Sequence, residues 1–186
     1  MIHLFKSQVL SFVEYRTVAI YHACNTHSEH IDKLQHRFLR ELGVSAEMAL
    51  LSFNLAPMST RRDIAMLGMI HRAALGKGPS QLQQLFAQAE VVRRRPTRAG
   101  ACVHDRQLRE YRTGYFSELL SRSALGLVSL YNLLPQDFVK ATDVSSFQKR
   151  LQCLVKAQAA AGKDGWSDIL SPRATLYNHP IRRVIA

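Results

Sequence analysis

Apolar residues recur at three- and four-residue steps along most of this chain, the spacing of one buried helix face. In the first segment the stripe is Ile2, Phe5, Val9, Phe12, Val13 and Ile20, and it breaks near Asn25. Thr26 and Glu29 then have the spacing of a capping box. They predict a second helix with Ile31, Leu34, Phe38, Leu39 and Leu42 inward and Gly43 at its end. Lys33, His36, Arg37 and Arg40 lie off that stripe. Ser45 predicts the cap of a short third helix through Met48, Leu51 and Ser52, closed by Pro57. Ser59 or Thr60 predicts the next start, with Ile64, Leu67, Ile70, His71 and Leu75 inward and Gly76 and Gly78 beyond. Pro79 restarts a helix through Leu82, Leu85, Phe86 and Ala89.

Periodicity lapses over residues 93–105, RRRPTRAGACVHD, which read as a basic loop. Leu108, Tyr111, Tyr115, Phe116, Leu119 and Leu120 predict a further helix, interrupted by Gly114. Leu125 to Leu134 is almost wholly apolar and stops at Pro135, as a buried helix or turn would. Ser145 and Gln148 form a second capping-box pair. They open the last clear helix, which carries Phe147, Leu151, Leu154 and Val155 and ends at Gly162. The tail from Lys163, with Trp166, Pro172 and Pro180, reads as loosely ordered. No stretch keeps a period of two, so the expected fold is all-α. It is an irregular multi-helix bundle with an Arg-rich central loop and a loosely ordered C-terminal tail. The expected segments are 1–90 (helical), 91–105 (basic loop), 106–162 (helical) and 163–186 (tail).

Composition narrows the class. The 186 residues, 47% of them hydrophobic, suffice for one cored domain or two small helical ones. Cys24, Cys102 and Cys153 are odd in number and widely spaced. They argue against a disulfide scaffold and for a reducing compartment, cytoplasmic or nuclear. The N-terminus lacks the basic and apolar regions of a signal peptide, and no apolar run reaches membrane-spanning length.

Charge changes the picture most. Twenty-five basic residues against fourteen acidic leave +11, and eighteen of the basic residues are Arg. Arg forks onto phosphate in a way Lys does not, so a polyanion is the expected partner. Residues 1–60 hold five basic and five acidic groups; residues 61–122 hold twelve and five, a net +7. The density peaks from Arg93 to Arg112, where seven Arg stand against two acids. A field concentrated this way marks a binding surface better than the same charge diluted. The Arg93–Arg95 run also fits a solvated loop or a nuclear import signal. Tyr111, Tyr115 and Phe116 interleave with Arg106, Arg109 and Arg112, as base-stacking aromatics between phosphate contacts would. An amphipathic helix with an aromatic core stripe explains the same spacing.

Catalytic constellations are missing. Around Lys77 the sequence HRAALGKG lacks the first Gly and the final Ser or Thr of a phosphate loop. There is no nucleophile elbow, no HExxH helix, no adjacent pair of acids and no Asp-x-Asp. Cys24, His27 and His30 have spacings that suit zinc but no evident fourth ligand, and the preferred reading is a buried cysteine with histidines that cap or flank the second helix. Cys102 with His104 is a weaker pair. Cys153 reads as buried and inert near the stripe of the last helix, and His71 as a hydrogen-bonded core histidine.

Four segments together resemble the thumb and C-terminal extension of non-LTR retrotransposon reverse transcriptases. They are FKSQVLSFVEYRTVAIYHA (5–23), IDKLQHRFLREL (31–42), STRRDIAMLGMIHRAALGKGP (59–79) and YNLLPQDFVKATDVSSFQKRL (131–151). The last is similar to the family's terminal WNxLP signature, with Tyr131-Asn132 in place of Trp-Asn. The paired aspartates of the family's palm are absent, as is the Trp expected after the first helix. The resemblance therefore implies a C-terminal portion without polymerase chemistry, whose missing core would lie upstream. With those motifs missing, no cofactor and no metal are expected. The resemblance also implies a thumb that grips an RNA or RNA/DNA duplex by its backbone, through Lys33, Arg37, Arg40, Arg61, Arg62 and Arg72. Charge alone adds Arg93, Arg94, Arg95, Arg98, Arg106 and Arg109. The expected function is non-catalytic, sequence-independent nucleic-acid binding. The alternative is a helical structural or protein-interaction domain with no nucleic-acid role.

Overall fold

The computed structural model describes residues 1–15, 17, 21–23, 25–89, 104–110, 123–172 and 179–185. The first element, α1, is one helical run: α-helical over Ile2–Leu4, π-helical over Phe5–Leu10, and α-helical again over Ser11–Tyr15. Then follow α2 (Asn25–Glu41), α3 (Ala46–Phe53), α4 (Met58–Ala74) and α5 (Ser80–Leu85). Beyond residue 122 come α6 (Gly126–Leu133), α7 (Gln136–Val139), α8 (Val144–Ala160), a 3-10 turn (Trp166–Asp168) and α9 (Pro180–Ile185). Among the described residues there is no strand, only one antiparallel bridge between Gln88 and Leu108. The fold is all-α.

Helix α4 is the central element. It packs along α8 and touches α2, α5, α6 and the 3-10 turn. Ile64, Met66, Leu67, Ile70, Ala73 and Ala74 are buried on it, more faces than a surface helix can hide. Gly68 faces α8, and a Cβ there would make the Gln148 side chain swing aside. On α8 the inward line is Phe147, Leu151, Val155 and Ala159, one residue per turn. Cys153 lies two residues round from Leu151 and is exposed, which corrects the expectation that it is buried. The main core draws on Leu67 and Ile70, on Leu108, on Leu127 and Leu130, and on Ile169, Leu170 and Ile181. The described parts of the tail, expected to be loosely ordered, are thus anchored at these residues. Ile169, Leu170 and Ile181 are each at most 2% exposed. Its short 3-10 turn and separate helix leave no 3.6-residue stripe to read.

A second, smaller cluster joins α1, α2 and α3 through Phe5, Leu10, Leu39, Ala49, Leu55 and Met58. Phe5 stacks on Phe38 with ring centroids 4.2 Å apart. The π turn reverses part of the predicted stripe. Bonds from i to i+5 add a residue per turn, so Phe5 and Leu10, five apart, share the buried side. Phe12, read as inward at the α-helical period, is 80% exposed. Leu34, Met48 and Leu51 also face solvent, and Ala49 and Leu50 fill the third helix's buried positions instead.

Helix starts differ from the sequence reading at α2, α4 and α8, and agree at α3 and at α5, which Pro79 opens. Ser45 caps α3 as expected, its hydroxyl accepting from the Met48 N–H at 3.1 Å. Helix α2 already begins at Asn25, so Thr26 lies inside the first turn. Helix α4 begins after Pro57, and Thr60 donates to the Ser167 carbonyl at 2.8 Å, tying the tail to the core. Asp143, not Ser145, caps α8 by accepting from the Ser146 N–H at 2.8 Å. That bond, reinforced by the Ser146 hydroxyl, holds the Asp143 carboxyl below its ordinary range. Helix ends follow expectation: Gly43 and Gly162 take positive φ just beyond α2 and α8.

Leu108 was expected on a helix and is instead extended. Asn132 on α6 reaches across and pairs with both of its backbone groups. The Leu108 N–H donates to Asn132 Oδ1 and Asn132 Nδ2 donates to the Leu108 carbonyl, each at 2.8 Å. Gln107 Nε2 returns a bond to the Asn132 carbonyl at 2.9 Å. On the other side, Ala89 N–H donates to Gln107 and Arg109 N–H to Ala87. The rest of that predicted helix, with Tyr111, Arg112, Tyr115 and Phe116, lies outside the described residues, as do Arg93, Arg94, Arg95 and Arg98.

Candidate nucleic-acid interface

Helix α2 has two unlike faces. Ser28, Gln35 and Leu39 are buried against α3 and α4, with Ile31, Phe38 and Leu42 half-buried beside them. Gln35 Nε2 donates to the Ala56 carbonyl at 3.0 Å and fixes this face. Opposite lie Lys33, Arg37 and Arg40, all exposed, with His30, His36 and Leu34 around them. Steps of three and four place the three cations on one stripe, about 10 Å long at 1.5 Å per residue. Exposed Glu29 and Glu41 stand towards its two ends. Among the described residues none of the three cations forms an ion pair.

The other carried-over cations sit elsewhere and do other work. Arg62 is only 7% exposed and forks onto Asp32 with bonds of 2.7 and 2.9 Å, fastening α4 to α2. It is not available to a phosphate. Arg61 is half-buried and forks onto Glu14, one of its two bonds being 2.9 Å, fastening α4 to α1. Tyr21 adds a bond from its hydroxyl to Asp63 at 3.0 Å. Arg72 is exposed, but its Nε donates to the Lys77 carbonyl at 3.2 Å. It borders a groove with Asp143, Val144 and Ser145 at the start of α8, away from the α2 stripe. Arg106 is half-buried and donates to the carbonyls of Val139 and Ala141, the end of α7. Arg109 has an exposed side chain beside the bridge. The structure therefore brings together Lys33, Arg37 and Arg40, and assigns Arg61, Arg62 and Arg106 to holding elements in place.

Removing one partner of the Arg62–Asp32 pair leaves a charge with little access to water. Asp32→Ala is expected to cost about 3 kcal/mol in urea unfolding, the low end for a buried pair because Asp32 is partly exposed. Its counterpart on the outer stripe, Lys33→Ala, is expected to stay within about 0.5 kcal/mol of the parent.

Three buried histidines form the polar skeleton. His71 stacks on Phe147 with centroids 4.1 Å apart. Its Nε2 lies 3.0 Å from the Ala141 carbonyl, which can only accept, so Nε2 carries the proton. Nδ1 then accepts from the Tyr131 hydroxyl at 2.9 Å. By the same logic His104 donates from Nε2 to the Tyr131 carbonyl at 3.1 Å and accepts at Nδ1 from the Arg106 N–H. His179 donates to the Ser171 carbonyl at 2.9 Å and accepts from the Ile181 N–H. Burial lowers all three below the ordinary value of 6.5 and raises the Tyr131 phenol. Each imidazole thus reads as a neutral brace with both nitrogens used. His71 is the core histidine that its place on the apolar stripe implied. Among the described residues no three His, Cys, Asp or Glu side chains converge on a point that could hold a metal ion. His27 and His30 are exposed on α2, and Cys24 and Cys102 lie outside the described residues. No described helix is long and apolar enough to cross a membrane.

The residues that carry the resemblance at 131–151 are core residues here. Tyr131, Leu134, Phe147 and Leu151 are fully buried, and Asn132 is the node that binds Leu108. Comparison with protein-family models, with curated proteins and with solved structures finds no match.

Proposed function

We propose that this chain is a non-catalytic nucleic-acid-binding module, similar to a reverse-transcriptase thumb, that grips RNA or RNA/DNA duplex by its backbone without reading sequence. The observation that supports it best is the Lys33–Arg37–Arg40 stripe, solvent-facing, without ion-pair partners among the described residues, and set on a chain of net charge +11. Cations so placed displace condensed counterions from a phosphate chain, and the entropy released drives binding. They hold register and carry no base information. Arg93, Arg94, Arg95 and Arg98 extend the same proposal from their charge.

The competing reading, a protein-interaction domain, draws on solvent-facing Phe12 and Tyr15 of α1. Salt separates the two. Replacing Lys33, Arg37 and Arg40 together with Ala is expected to remove about three phosphate contacts. The log–log salt slope then falls by about 2.7 on a duplex. Between 50 and 200 mM salt, hybrid binding then becomes roughly 40-fold less salt-sensitive. An unchanged slope in the folded triple variant counts against this interface.

A further inference from the structure

A half-enclosed cavity of about 350 Å³ lies where α1, α3, α4 and α8 meet. It is separate from the α2 stripe. Leu50, Ile64 and Val155 supply apolar wall, and Asn54, Gln148 and Gln152 supply side-chain amides. The Asn54 and Gln152 amides have no hydrogen-bond partner among the described residues. The Glu14–Arg61 pair closes one side; it uses Nε and Nη2 of Arg61 and leaves Nη1 over.

Two further cations gather there. Lys6 donates to the Phe53 carbonyl, next to the cavity-lining Asn54, and its ammonium is held below its ordinary range first by burial and then by Arg61 and Lys156. Lys156 stands one turn beyond Gln152 on α8, at the edge of the face whose Gln148, Gln152 and Val155 line the cavity. Beyond the paired Glu14 and Arg61, Lys6 and Lys156 stand near the rim of the cavity, a cationic surplus close to an apolar wall. Like charges held together repel one another, and an anion of opposite sign relieves that repulsion. A bare inorganic anion would leave the apolar wall unused, and a duplex backbone is too wide to enter a cavity of this size.

We infer that this cavity binds a small organic anion, an aromatic or aliphatic body bearing one carboxylate, sulfonate or phosphate. The body lies against Leu50, Ile64 and Val155, the anionic head faces Arg61, Lys6 and Lys156, and the amides of Asn54 and Gln152 bond its polar edge. The site does not rest on the nucleic-acid reading.

The test uses the full chain and two dyes of nearly the same shape, anilinonaphthalene sulfonate and its uncharged analogue N-phenylnaphthylamine. The sulfonate is expected to bind one per chain and about tenfold tighter than the neutral dye. Lys156→Glu is expected to weaken the sulfonate by about tenfold or more and leave the neutral dye unchanged. Gln152→Trp, which fills the cavity, is expected to abolish both, and the Lys33/Arg37/Arg40 variant to abolish neither. Equal affinity for the two dyes, or sulfonate binding that survives Gln152→Trp, overturns the site. If Gln152→Trp does not fold, unchanged sulfonate affinity in Lys156→Glu overturns it alone.

Discussion

Asn132→Leu is expected to destabilise the protein by about 4 kcal/mol. The side chain is of similar size, so little volume changes; what is lost is the pairing with Leu108. Both the N–H and the carbonyl of Leu108 bond the Asn132 amide at 2.8 Å, and Leu108 is 1% exposed. Each backbone group left buried without a partner costs about 1–3 kcal/mol, and two at about 2 each give the sum. Against a typical total of 5–15 kcal/mol this is a large share. Asn132→Asp separates the two bonds. Its carboxylate still accepts from the Leu108 N–H, but it sets a second oxygen against the Leu108 carbonyl. It is therefore expected to be destabilising as well. Urea unfolding checks both, with the midpoint falling and the slope unchanged. A midpoint for Asn132→Leu within error of the parent removes Asn132 from its place as the brace of residues 104–110.

Acid is expected to begin destabilising the protein below about pH 6.5, before its carboxylates titrate. His71, His104 and His179 are buried, bonded at both nitrogens, and lowered by burial from 6.5. In the unfolded chain each takes a proton as pH falls below about 6.5. In the folded chain it does not until its lower value is reached. The unfolded state therefore binds more protons in that window, and stability rises with pH there. The contribution is complete well above 6.5 and is lost progressively as pH falls through 6.5 towards each folded value. The slope is about 1.4 kcal/mol per pH unit for each histidine, so about 4 for three acting together. Asp143, whose carboxyl is lowered, adds its own loss only at more acid pH. Urea midpoints should thus fall slightly between pH 7.5 and 6.5, by about 1 kcal/mol for the three together, and more steeply from 6.5 to 5.5. His179→Gln should take about a third off the fall. Midpoints that stay level down to pH 5 contradict neutral, fully bonded histidines.

Much of the bundle was legible because helices announce themselves through period. The stripes of α4 and α8 were read correctly at Ile64, Leu67, Ile70, Phe147, Leu151 and Val155. The glycines after α2 and α8 gave their ends. Two physical effects hid the rest. A π turn in α1 changes the repeat, so Phe12 turned outward while Phe5 and Leu10 turned in. Local capping signals competed with tertiary contacts. Thr60 was drawn to Ser167 across the fold, and Gln148 to the Ile64 carbonyl, so neither serves as the cap its spacing implied.

The candidate interface shows the same division. That Lys33, Arg37 and Arg40 lie off the apolar stripe was visible from spacing, and spacing places them on one face. That Arg61, Arg62 and Arg106 are spent on Glu14, Asp32 and the end of α7 was not, because their partners lie 30 or more residues away in sequence. A cation count cannot separate a phosphate-facing arginine from one that locks two helices together. The cavity between α1 and α8 left no motif at all, since its walls come from four helices.

The most direct test of backbone gripping is the affinity of the folded chain for a short RNA/DNA hybrid and for a scrambled single strand at two salt concentrations. Tight binding at low salt, indifferent to sequence and falling steeply as salt rises, is the predicted result. No binding at low salt by a chain that circular dichroism shows to be helical contradicts it, and the charge of +11 is then only surface.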